Sequence, residues 1–131
     1  MTGSGFSDGL ERFVQRHISS VEQVEVLLLL HRTAPRRWGA VAASRELRLD
    51  PVSVARRLAE FHDSGVLDVQ AGDEALEYWY VASSIAPDRT LGELATAYQT
   101  RRTSLINLIF AKPADDARAF ADAFRLRKRE E

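Results

Sequence analysis

The segment from Val41 to Val69, VAASRELRLDPVSVARRLAEFHDSGVLDV, constrains this chain more than any other. Val41, Ala43 and Leu47 turn inward on a short helix from about Gly39 to Leu47. A tight turn follows, and Asp50-Pro51 starts a second helix, because aspartate caps and proline fits the first helical position. Val54, Leu58 and Phe61 recur at helical spacing as its buried stripe. Gly65 ends it, and a strand begins at Val66.

The flanks supply the rest of a core. A first helix starts near Ser7 and runs through Leu10, Phe13 and Val14 to about His17. Ser20 and Gln23 have the spacing of a capping box at the start of a second. Val21, Val24, Leu27 and Leu28, with Val26, Leu29 and Leu30, cover most of that helix, which predicts burial at the centre of the core. Pro35 disfavours helix in the residue before it and stops the run. Trp38 is expected in a short strand or a packed turn. The stretches 66–70 and 77–82 read as the two strands of a hairpin, with Gly72-Asp73 near its tip. Beyond Pro87, the residues Leu91, Leu94, Tyr98, Leu105 and Ile109 predict one long helix from about Thr90 to Ala111. Pro113 breaks it, and a last helix carries Ala117, Phe120, Ala121 and Phe124 on one face.

Composition excludes more than it suggests. The 131 residues are 45% hydrophobic and 28% charged, an ordinary balance for a folded domain. The absence of cysteine removes disulfides, thiolate catalysis and cysteine-based metal or redox sensing. The longest apolar run, Val26 to Leu30, is far too short for a bilayer, and the N-terminus lacks a signal core, so a cytoplasmic location without membrane contact is expected. The formal net charge is −1. Between Arg36 and Arg57, however, Arg36, Arg37, Arg45, Arg48, Arg56 and Arg57 face only Glu46 and Asp50, a local excess of positive charge.

These residues resemble the winged helix-turn-helix regulators of bacteria, broadly of the ArsR and MarR type. The resemblance rests on Leu47, the turn Arg48-Leu49-Asp50, the helix start Val52-Ser53-Val54, the pair Leu58 and Phe61, and the step Gly65-Val66-Leu67. It covers roughly residues 20 to 82. It implies a mainly α fold with a small β-hairpin wing, to which the helical pattern after Pro87 adds a two-helix C-terminal extension. Residues 1–19 would form a lead-in and first helix, 20–86 the winged domain, and 87–131 the helical extension. It also implies sequence-specific binding of double-stranded DNA, with the helix starting at Pro51 in the major groove. Val52, Ser53, Arg56 and Arg57 would then face DNA, with Arg45 and Arg48 placed for phosphates. The bland alternative has Arg56 and Arg57 pairing with Glu60 or Asp63 along their own helix.

Two features depart from that pattern. The hairpin carries Asp68, Asp73, Glu74 and Glu77 and no basic residue, where a DNA-binding wing often has arginine or lysine. The missing cysteines leave no metal-sensing chemistry to carry over. A protein-interaction winged helix, meeting a partner through the acidic hairpin and its Tyr78, Trp79 and Tyr80, is therefore the alternative function. A third reading is a ligand-responsive repressor with a pocket lined by Trp38, Trp79 or Tyr98.

Regulators of this kind pair up, since one small helix reads too few bases. The C-terminal part is the expected homodimer contact, through Tyr98, Leu105, Ile109, Phe120 and Phe124; the alternative is that this surface completes the core of a monomer. Signals for catalysis are poor: His17, His31 and His62 are isolated, and no nucleophile stands beside a base. No enzyme activity, catalytic residue, metal or cofactor is expected.

Overall fold

Ser20 opens the central helix with the reciprocal cap its spacing predicts. Its hydroxyl accepts from the Gln23 amide, and the Gln23 side chain accepts from the Ser20 amide. The computed structural model describes residues 5–111. Within them this helix, α2 (Val21–Thr33), buries Val24, Val26, Leu27, Leu28, Leu29 and Leu30 on nearly all sides. Around it stand α1 (Asp8–His17), α3 (Ala40–Leu47), α4 (Pro51–Asp63), α5 (Asp88–Thr100) and α6 (Arg102–Phe110). Two antiparallel strands, β1 (Leu67–Ala71) and β2 (Leu76–Tyr80), lie between α4 and α5. This is a winged helix-turn-helix with a helical extension, as the resemblance implies.

The register of the hairpin sorts its side chains. Leu67 faces Tyr80 and Val69 faces Tyr78 toward the core, while Asp68–Trp79 and Gln70–Glu77 pair on the outer side. Trp38 supplies a third strand reduced to a single bridge, exchanging backbone bonds of 2.8 Å with Tyr78. Its indole N–H donates to the Thr33 hydroxyl, so the buried ring keeps its one polar group satisfied. Gly65 leaves α4 at φ +90°, a conformation that costs a residue with a β-carbon. A β-carbon there would also lie 3.0 Å from Cδ1 of Ile85, in the loop after β2. That loop is held by the Tyr80 hydroxyl, which donates to the Ala86 carbonyl at 2.6 Å.

One expectation about the C-terminal part is corrected. The long helix predicted from Thr90 to Ala111 is two helices, broken at Arg101 (φ −138°, ψ 47°). The Thr100 hydroxyl bonds back to the Thr96 carbonyl, an alternative to the helical ladder. The Arg101 guanidinium stacks on Phe6 at 4.3 Å and donates to the Gly5 carbonyl. The break lets α6 fold onto α1 as well as α5. The last expected helix, with Phe120 and Phe124, lies outside the described residues.

Candidate nucleic-acid interface

The second helix of the helix-turn-helix is built as its sequence dictates. The Asp50 carboxylate accepts from the Ser53 amide at 2.9 Å, and Pro51 occupies the first turn. Val54, Leu58 and Phe61 are buried, and Pro51, Val52, Ala55, Arg56 and Ala59 are exposed, as are Glu60, His62 and Asp63 toward the end of the helix. Val52 is 69% exposed, unusual for a branched apolar side chain at the head of a helix. Arg48, in the turn before α4, adopts the left-handed conformation at φ 59° and is exposed.

The six side chains expected at DNA divide into two groups. Arg45, Arg48, Val52 and Arg56 are exposed, and none of the three arginines forms a salt bridge among the described residues. Ser53 and Arg57 are instead drawn to Glu22, in the first turn of α2. Arg57 Nε donates to Glu22 Oε1 at 2.8 Å, its Nη1 reaches Glu60 at 3.3 Å, and the Ser53 hydroxyl donates to the same Glu22 oxygen. The Ser53 hydroxyl first, and Arg57 next, hold the Glu22 carboxyl below its ordinary range. Glu22 is the residue that sequence reasoning missed. It stands 31 positions from Ser53 and 35 from Arg57, and no local pattern joins them.

Beside α3, three of the hairpin carboxylates gather on one side. Asp73, Glu74 and Glu77 line a cleft of about 430 Å³ against Gly39, Val41 and Arg45 of α3 and its approach. The aromatic residues are less available than their sequence suggests. Tyr78 and Tyr80 are buried. Arg37 lies over the Trp79 ring at 4.3 Å and donates to Gln70 at 2.7 Å, and Arg36 lies over Trp38 at 3.8 Å. Of the three aromatics considered for an effector pocket, Tyr98 does line a cleft, of about 500 Å³, with Leu28, Leu47 and Arg102. Its hydroxyl donates to Glu25 at 2.6 Å; burial, and then this bond, push the phenol up to about 12.

The residues expected at a dimer contact are also distributed. Leu105 is 0% exposed and Ile109 6%, both packed in the core of this chain, while Phe110 stands out at 61%. Tyr98 is half-buried, and Phe120 and Phe124 fall outside the described residues. Among the described residues, no group of three His, Asp or Glu side chains is placed to hold a metal ion, and no helix is long and apolar enough to cross a membrane.

The order of elements and the helix-turn-helix next to a hairpin define a winged-helix architecture with its helical extension. The solved structure of MepR, a transcription regulator of the Staphylococcus aureus multidrug efflux pump MepA, is similar in fold. It matches with a TM-score of 0.51 at 9% identity, over 93% of this chain and 90% of that one. At that identity the likeness concerns the fold. No protein-family model matches the sequence, and neither does any curated protein.

Proposed function

We propose that the chain is a sequence-specific regulator of transcription that binds double-stranded DNA with α4 in the major groove. The observation that carries this reading is the solvent face of α4. Ala55 and Ala59 are small enough to let the helix approach base edges, and Val52 and Arg56 flank them. An exposed valine suits a thymine methyl, and a guanidinium that forms no salt bridge among the described residues suits the guanine edge. Arg45 and Arg48 serve phosphates in this reading. Ser53 and Arg57, tied to Glu22, fix α4 on α2 and meet DNA only by exchanging that partner.

The acidic hairpin weakens this reading less than its charge suggests. Two unit charges 4 Å apart in water interact by about 1 kcal/mol, and at physiological salt the effect fades beyond about 8 Å. A good bidentate base contact is worth about 1–3 kcal/mol of discrimination. The hairpin therefore biases the docking angle and does not forbid docking. The protein acts in this proposal as a cytoplasmic homodimer without a cofactor or enzymatic activity, with Phe110 the large apolar side chain left exposed among the described residues of the C-terminal part.

A second reading, a protein-binding winged helix, is favoured by the cleft that sets Asp73, Glu74 and Glu77 opposite Arg45. Selection from a genomic fragment library with the purified protein separates the two. Enrichment of an inverted repeat, with affinity falling steeply in salt, supports the regulator. Arg56→Ala is then expected to weaken that site by about tenfold or more and to relax specificity at one base position. No enrichment, and no duplex binding even at low salt, overturns it in favour of a partner at the hairpin.

A further inference from the structure

A second concentration of positive charge lies away from α4. Arg12 and Arg16 stand one turn apart on α1, His17 follows, and Arg89 approaches from the first turn of α5. With Phe13 and Ile85 they line a groove of about 410 Å³. None of the three guanidiniums has a carboxylate within salt-bridge distance among the described residues. The nearby acids are occupied elsewhere: Asp88 bonds His31 at 2.8 Å, and Glu93 accepts from the Ser7 amide at 3.0 Å. Asp8 and Glu11, on α1, do not line the groove.

Like charges at i and i+4 on a helix cost a few tenths of a kcal/mol, and a third across the gap adds to the repulsion. Burial, and then the Arg16 charge, push the His17 imidazole below its ordinary value. The start of α5 adds to the same field. Pro87 caps it without a side-chain bond, and Arg89 and Thr90 of that turn line the groove.

We propose that this groove binds a small organic phosphate, with a pyrophosphate-type group between Arg12, Arg16 and Arg89 and an apolar portion against Ile85. A carboxylate satisfies one guanidinium fork, whereas a diphosphate offers enough oxygens for three. The volume also exceeds what a single small ion fills. None of these residues belongs to α3, α4 or the hairpin, so the site stands whether or not the protein reads DNA.

The test is calorimetric titration of the whole chain with sodium pyrophosphate. It compares the wild type with Arg16→Ala/Arg89→Ala and with the charge-matched control Arg36→Ala/Arg37→Ala. Saturable one-to-one binding is expected in the wild type and the control, weakened about tenfold or more in the groove variant. Arg89→Gln alone gives a smaller loss in the same direction and covers the case where the double variant does not fold. No saturable binding by the wild type, or equal weakening in both double variants, overturns the proposal. A mixed duplex added to the complex is expected to leave pyrophosphate bound. One-for-one displacement by the duplex would reassign the groove to backbone phosphates and overturn it as well.

Discussion

Arg57 on α4 and the arginines of the α1–α5 groove meet their surroundings in opposite ways. Arg57 is gripped by Glu22 at 2.8 Å and by Glu60 at 3.3 Å, with about a fifth of its side chain exposed. Arg12, Arg16 and Arg89 converge on one cavity with no acid to answer them among the described residues. A chain of net charge −1 thus holds uncompensated positive charge because its topology keeps bases and acids apart. What decides availability is the partner that the fold supplies, not the local tally along the sequence. On α4 the tally overstates the free charge; in the groove the balance of the whole chain hides it.

The largest expected effect asks whether these two regions belong to one cooperative unit. Leu105 of α6 and Phe61 of α4 are both fully buried in one hydrophobic cluster. Leu105→Ala should cost about 2–5 kcal/mol, independent of protein concentration. Urea unfolding followed by tryptophan fluorescence checks it, since Trp38 and Trp79 both report from the winged half. An unmoved fluorescence midpoint beside a shifted circular dichroism midpoint would split the molecule in two. A midpoint that rises with protein concentration would make Leu105 part of an intermolecular contact.

A smaller effect sharpens the account of Arg57. Glu22→Gln removes a charge-assisted partner and should cost about 1.5 kcal/mol near neutral pH, the low end because both side chains keep some solvent. The Glu22 carboxyl titrates below its ordinary value of 4.5, so its stabilisation is complete above that pH and lost as pH falls through the lowered value. The difference between wild type and variant should therefore close in acid. A gap that persists undiminished at pH 3 would mean that shape, not charge, ties α4 to α2. The smallest effect concerns the hairpin: Arg37→Ala should cost about 0.5–1 kcal/mol and shift Trp79 emission to the red. An unchanged spectrum would show that the guanidinium does not cover the ring in solution.

The parts of the fold that were legible are those whose cause is local. Asp50, Pro51 and Gly65 bound α4 through caps and backbone preference, and Ser20 with Gln23 does the same for α2. The break at Arg101 was hidden because Leu91, Leu94, Tyr98, Leu105 and Ile109 keep a helical period straight through it. Its one local trace is the polar run from Gln99 to Ser104, and no side chain caps α6 at the break. For the candidate interface, burial of Val54, Leu58 and Phe61 fixed which face of α4 is outward, so Val52 and Arg56 could be placed from spacing alone. Ser53 and Arg57 could not, because their partner Glu22 comes from another helix. The groove left half a signature, the unpaired Arg12 and Arg16 one turn apart; Arg89 joins them only through the packing of α5 on α1.

Ile85 stands between the basic groove and the turn that follows α4. It forms a wall of the basic groove, and its Cδ1 sits where a β-carbon on Gly65 would have to go. The loop that bears it is pinned behind by the Tyr80 hydroxyl. In mechanical terms it is a stop set against the turn by which the chain leaves α4. A β-carbon at position 65 would thus have to displace a wall of the groove, so the exit from α4 and the basic groove share one steric boundary.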